Sequence, residues 1–425
     1  MKPLDCHMPY THLVFDFVSG KTKYCCKMHG GINMDDQVDY KNNLLAKSLR
    51  KSLREGQKPK LCKVCWEAEE KGVESWRQVV GNFKPWHDKE KLINTDNPHF
   101  TRIEVMFDNT CDLACIYCGP WLSSSWMQEV KREQGKYWIA RDTFPNNKLL
   151  AQKAENRTKH FIHTLENIAK DSEKDKKYEI AFLGGEPFLS PQIKNGKFAR
   201  FIEAFYKHAD KETSLLLNFI TNLNTPDAIW NKNAEILNAC RQKYPNLQVH
   251  ISMSLESVGR WTEISRYNSE WKQVDKNIKR WLGLDWINYN FNTAFNCITI
   301  QNISEYLRYL QYIHKVTGRK IDVAPNVVYE PKGLGTSTLD KSFLPEIQKG
   351  LNKLIQLPTS MFDEEKGNGK QSLVNVLTNI IDTLGNNATE KMLGNLREYT
   401  DYMINHRGID LQEFNPKFYN YIYNR

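Results

Sequence analysis

Apolar residues along this chain gather in short runs, and longer amphipathic stretches separate them. Six runs read as strands: residues 102–109 (RIEVMFDN), 177–184 (KYEIAFLG), 214–221 (SLLLNFIT), 247–255 (LQVHISMSL), 288–300 (NYNFNTAFNCITI) and 320–329 (KIDVAPNVVY). Between them, residues 193–210, 228–242, 271–284 and 304–318 carry helical periodicity. Strand–helix units in series predict parallel strands with right-handed helical crossovers. Sheets of that kind hold their ligands at the C-terminal ends of the strands.

The flanks read differently. LVFDFV at 13–18, a Ser-Gly turn and KTKYCC predict a β-hairpin ending in cysteines. A helix is expected from about Trp66, directly after Cys62-x2-Cys65, where its dipole favours thiolate over thiol. The stretch from Trp121 to Lys170 is long for one crossover. It predicts a helix, an exposed loop around Pro145-Asn146-Asn147 and a second helix. Residues 343–357, 371–384 and 389–404 predict a helical cap on the α/β part. The expected division is 1–98 cysteine-rich, 99–335 α/β and 336–425 helical, with no internal repeat.

Composition narrows the function classes. At 425 residues with 40% hydrophobic and 12% aromatic content, a sizeable core is expected and wholesale disorder is not. No apolar run approaches the roughly 18 residues of a membrane span, and MKPLDCHMPY lacks a signal-peptide core. A cytoplasmic protein with no membrane partner is expected. Ten cysteines there argue for metal or redox work rather than disulfides. The net charge of +9 is spread over helical faces, so solvated surface explains it better than a nucleic-acid partner.

The candidate chemistry starts at CDLACIYC, where Cys111, Cys115 and Cys118 are spaced C-x3-C-x2-C. Three thiolates can hold three irons of a [4Fe-4S] cubane and leave the fourth iron free to bind a small molecule. Structural zinc usually takes four ligands. The nearest histidines, His99 and His160, lie beyond the flanking strand and helix. Downstream, Gly184, Gly185, Glu186 and Pro187 follow the second strand as a GGEP turn. Thr221-Asn222 ends the third strand, Ser254 with Glu256 ends the fourth, and Arg266 follows.

In that order these motifs resemble the radical S-adenosylmethionine (radical SAM) superfamily. The resemblance implies an incomplete six-stranded (β/α)6 TIM-type barrel, open on one side for a bulky substrate. It also implies site roles. Cys111, Cys115 and Cys118 hold a [4Fe-4S] cluster whose open iron binds S-adenosylmethionine. Gly184, Gly185 and Glu186 receive the methionyl ammonium, and Arg266 the carboxylate. Asn222, Ser254 and Glu256 receive the ribose hydroxyls or neighbouring polar groups, and Tyr117 the adenine edge. The reaction implied is reductive cleavage to a 5′-deoxyadenosyl radical, fed by an external reductant such as flavodoxin or ferredoxin.

The amino-terminal cysteines form a second set. Cys6, one of Cys25 and Cys26, Cys62 and Cys65 make four thiolates, and on spacing alone zinc is favoured over iron–sulfur. The phrase C-x2-C-W-x2-E-x2-G-x2-S-x-R, from Cys62 to Arg77, resembles the auxiliary modules called SPASM and twitch. That resemblance favours one auxiliary [4Fe-4S] cluster, with Cys25 as ligand and Cys26 spare. Relatives with such modules most often modify peptides or proteins, so a peptide or protein substrate is expected. RNA or a small metabolite as substrate, and a non-catalytic zinc or iron–sulfur protein, are the alternatives. Cys240 and Cys297 are expected to be core thiols.

Overall fold

Buried and half-buried positions alternate regularly along Ser214–Thr221, the pattern of a strand with one buried face. This computed structural model describes residues 6–36, 39–70, 75–78, 98–133, 147–331, 333–363, 369–386 and 388–424. The chain opens with α1 (Met8–Thr11), β1 (His12–Asp16), β2 (Lys21–Lys23), β3 (Ile32–Asn33), α2 (Leu44–Arg54) and α3 (Lys63–Glu70). Next come β4 (Arg102–Met106), β5 (Ala114–Cys115), α4 (Ser124–Arg132), α5 (Asn147–Lys170), β6 (Lys177–Phe182) and α6 (Ala199–Tyr206). Then follow β7 (Ser214–Thr221), α7 (Asp227–Lys243), β8 (Leu247–Ser254), α8 (Arg260–Ser265), β9 (Arg266–Tyr267) and α9 (Trp271–Leu282). The chain continues through β10 (Ile287–Phe295), α10 (Ile303–Thr317) and β11 (Val323–Val327). Five helices finish it: α11 (Leu344–Gln356), α12 (Lys370–Thr383), α13 (Glu390–Arg407), α14 (Leu411–Phe414) and α15 (Pro416–Tyr423).

Two compact units share these elements. The first comprises described residues up to Asn109, those between 145 and 219, and Asp227–Val249; the second takes the remainder. In the first, the strand order is β8-β7-β6-β4-β1-β2-β3. The pairings β7/β6, β6/β4 and β4/β1 are parallel, and β1/β2 and β2/β3 antiparallel. In the second, the order is β11-β10-β8, with β10 and β11 parallel. The alternation and parallel pairing are those the six-unit α/β reading requires. Pro325 in β11 stands on a terminal strand, where its missing N–H costs no ladder bond.

Phe rings form the core of the first unit. Phe161 of α5 and Phe201 of α6 meet edge to face at 5.3 Å, and Phe107 stacks on Phe201 at 5.2 Å. Phe182 and Phe188 stack on either side of Phe219, at 4.7 and 4.9 Å. In the second unit α9 buries Val274, Ile278, Trp281 and Leu282, the i, i+4, i+7 face of an amphipathic helix.

Several expectations shift in detail. The hairpin forms as expected, but β1 also pairs along β4, from His12 opposite Arg102 to Asp16 opposite Met106. The helix expected over 193–210 shrinks to α6, because Asn195 (φ +59°) and Gly196 (φ +77°) break the preceding turn. A Cβ on Gly196 would lie 2.0 Å from Ile236, so glycine is needed there twice over. The strand expected to reach residue 300 ends at Phe295. Asn296 accepts from the backbone N–H of Ile298 and Thr299, both at 3.0 Å, and turns the chain into a 3-10 helix. α3 begins at Lys63 rather than near Trp66, which puts Cys65 inside its first turn. Pro145 and Asn146 of the expected loop lie outside the described residues. No described helix is long and apolar enough to cross a membrane.

Candidate functional site

The loop carrying Cys111, Cys115 and Cys118 follows β4 in the chain, and its first supports come from the residues just after it. Ser124 accepts from Cys111 N and donates to Cys111 O, each at 3.0 Å, and Ser125 donates to the same carbonyl. Ser123 caps α4 and donates to Leu113 O at 2.6 Å. Trp126, fully buried, donates its indole N–H to Cys115 O at 2.7 Å. A Ser-Ser-Ser-Trp run after the cysteines is a helix-start signature. It was the signal for these supports, which the sequence reading passed over.

The short antiparallel ladder β5/β9 sets Cys115 directly opposite Arg266, and Ala114 opposite Tyr267. Ile116 N adds a bond to Ser265 O at 2.8 Å. Arg266 then points both Nε and Nη2 at Glu256 Oε2, at 2.9 and 2.8 Å. Glu256 also accepts from Tyr117 OH at 3.1 Å and Ser265 Oγ at 2.8 Å, and is wholly buried. Tyr117, Glu256 and Arg266, separate in sequence, are therefore one cluster beside the cysteines. Burial pushes the Cys115 thiol up to about 12, against the pull of the Arg266 guanidinium, and Cys118 up to about 11. Asn222 also reaches the loop: its Nδ2 is 2.8 Å from Asp112 Oδ1 and 3.7 Å from Cys111 Sγ. Asn224 bonds the other Asp112 oxygen at 2.7 Å. Ser254 is the buried last residue of β8.

In the first unit the GGEP turn follows β6. Gly184 and Gly185 have φ of +74° and +54°, and a Cβ on Gly184 would lie 2.1 Å from Met106 Cγ. Glu186 is fully buried and accepts from Phe188 N at 3.1 Å, capping the short 3-10 turn Pro187–Leu189.

The amino-terminal cysteines share a small cavity in the first unit. Cys6, Cys25, Cys62 and Cys65 line it with Met8, Met28, Leu49, Leu53, Trp66, Trp76 and Arg77, while exposed Cys26 does not. Burial raises Cys6 to about 12 and Cys62 to about 11. A hydrogen bond with Cys26, and then burial, raise Cys25. The phrase from Cys62 to Arg77 has a structural reason. Glu69 clamps Arg77 through two 2.7 Å bonds and takes Ser75 Oγ at 2.5 Å, and the guanidinium lies 5.1 Å from the Trp66 ring centre. The motif thus fixes a cation on the wall of the thiol cavity.

Among the described residues, no three His, Cys, Asp or Glu side chains converge tightly enough for a single metal ion. A cubane takes one thiolate at each of several separated irons and does not require that convergence. The donor sets are all sulfur, the softness iron–sulfur chemistry calls for. A larger cavity, about 1120 Å³, lies in the first unit, lined by residues such as Tyr40, Arg157 and His160. None of the predicted site residues lines it. Cys297 is fully buried and Cys240 partly so.

No protein-family model and no curated protein matches the chain. Solved structures similar to it include native anSMEcpe with bound AdoMet, at 14% identity and TM-score 0.37 over 60% of this chain and 59% of that one. Another is native anSMEcpe with bound AdoMet and Cp18Cys peptide, at 13% identity and TM-score 0.38 over 60% of each chain. A third is histidine-tagged anSMEcpe with bound AdoMet, at 14% identity and TM-score 0.39 over 63% and 62%. The chain spans about three fifths of the length of these structures.

Proposed function

We propose that this chain is a radical SAM enzyme that removes a hydrogen atom from a peptide or protein side chain. The observation that carries the reading is the Cys111, Cys115 and Cys118 loop, with Arg266 fixed opposite Cys115 and joined to Glu256 and Tyr117. In this reading the three thiolates hold a [4Fe-4S] cluster with one open iron. When bound, the cluster and S-adenosylmethionine supply a 5′-deoxyadenosyl radical.

The chain's own residues bind, orient and exclude water. Gly184 and Gly185, with positive φ, bring backbone close to a ligand, and Glu186 adds a buried carboxylate for an ammonium group. Arg266 is the carboxylate partner and Tyr117 the adenine contact. Asn222, Ser254 and Glu256 serve the ribose, with Glu256 first holding Arg266 in place. Cys6, Cys25, Cys62 and Cys65 would hold an auxiliary [4Fe-4S] cluster, which would supply electron-transfer chemistry. The motif from Cys62 to Arg77 supports a peptide or protein substrate, and a cytoplasmic flavodoxin or ferredoxin suits the electron supply.

Anaerobic reconstitution with iron and sulfide, then dithionite and S-adenosylmethionine, tests the reading. Release of 5′-deoxyadenosine, detected chromatographically, is the expected result. A chain with verified iron and sulfide that yields none would overturn the enzymatic reading.

A further inference from the structure

We propose that Arg407, at the end of the carboxy-terminal helix α13, is a positioning residue for the Cys111, Cys115 and Cys118 loop. The inference deepens the reading above and rests on it only for the cluster. The Arg407 side chain is wholly buried and bidentate on Glu129 of α4, with Nε and Nη2 each 2.9 Å from a carboxylate oxygen. Its guanidinium lies 4.4 Å from the ring centres of both Trp126 and Tyr267. Tyr399 OH sits 3.2 Å from Nη1.

Both stacked rings are anchors of the cysteine loop. Trp126 holds the Cys115 carbonyl, and Tyr267 is the ladder partner of Ala114. One planar cation therefore braces the two attachments on either side of Cys115. Planar, delocalised and permanently charged, arginine can stack on both rings while its edge binds a carboxylate, which lysine cannot do. The Arg407 charge also acts on the Cys115 thiol, and a fixed cation there would stabilise an added electron at any centre the thiolate holds. The carboxy-terminal helix α13 thus reaches the supports of the cysteine loop.

The test is amide hydrogen exchange on the full-length, iron-free chain, comparing wild type with Arg407→Met, Arg407→Lys and Trp126→Phe. Trp126→Phe removes the indole donor and keeps an aromatic ring against Arg407, so it carries the test if Arg407→Met fails to fold. The expected result is exchange about tenfold faster at Ile116 and Cys118 in Trp126→Phe and Arg407→Met, the ratio matching one lost hydrogen bond. Arg407→Lys is expected to match Arg407→Met in exchange. After reconstitution, the midpoint potential of the centre whose electron paramagnetic resonance signal responds to S-adenosylmethionine should fall in Arg407→Met but stay near wild type in Arg407→Lys. Faster exchange confined to residues 390–407, with 111–118 unchanged, would overturn the proposal. If wild type takes up no cluster, the functional reading fails, and the exchange data still decide this one.

Discussion

The two cysteine sites solve one problem with opposite architectures. Three thiols of the CDLACIYC loop lie within eight residues, and serines, an indole N–H and a two-residue ladder hold their backbone. The four amino-terminal thiols come from three separate segments and meet only because side chains such as Leu49, Leu53 and Trp66 pack around them. Yet both sites carry the same device, an arginine clamped by glutamate and stacked on tryptophan: Arg77 with Glu69 and Trp66, and Arg407 with Glu129 and Trp126. A buried thiol resists ionising, and a fixed cation nearby lowers that resistance. Local backbone or tertiary packing can thus assemble the donors, but each solution needs a held positive charge.

The sharpest way to break the comparison is to remove thiols from one site at a time. Cys115→Ala should abolish 5′-deoxyadenosine release. Cys62→Ala should lower iron per chain while leaving release measurable, because the loop's supports do not pass through the amino-terminal cavity. Iron and sulfide assays beside chromatography check both. Equal loss of product in the two variants would mean that the sites are not separate.

The next effects are on stability. Gly184→Ala forces a side chain into φ +74° and against Met106, and is expected to cost about 3 kcal/mol in denaturant unfolding. Pairing it with Met106→Ala should recover the clash but not the backbone strain. Arg77→Met frees Glu69 and uncovers Trp66, and about 2 kcal/mol should be lost. If instead it costs nothing, the cation on the cavity wall is decoration, and the likeness to Arg407 lapses.

What could be read beforehand follows the same division. β7 matches the predicted run residue for residue, because Leu215, Leu217, Phe219 and Thr221 recur at every second position on its buried face. The CDLACIYC site was legible because its ligands are local, and the four-thiol set because C-x2-C near a cysteine pair is a recognisable pattern. Arg407 was not legible, since nothing in a helical pattern says that its last residue reaches Glu129, 278 positions earlier. Asn296 and the Asn195-Gly196 break were missed for another reason. Single side-chain-to-backbone bonds and one positive φ decide them, and neither alters the apolar periodicity. The pairing of β1 with β4 was hidden because a hairpin signal is silent about which strand lies on its far side.

The smallest expected effect probes the sheet of the first unit. Glu104 of β4 is buried, with Arg102 Nη2 3.3 Å and His12 Nε2 3.4 Å from its Oε1, and Arg102 also reaches Glu179 at 3.6 Å. Burial disfavours its charge, but His12 and Arg102 outweigh burial and hold the carboxyl down at about 2 against an ordinary 4.5. Between those two values the unfolded chain binds a proton that the folded chain does not. Stability from this group is therefore complete above about 4.5 and is lost as pH falls toward about 2. Glu104→Gln should flatten that acid limb by roughly 1–2 kcal/mol, read from urea midpoints across the window. Should wild type and Glu104→Gln lose stability in parallel, the buried charge row contributes nothing to the acid limb.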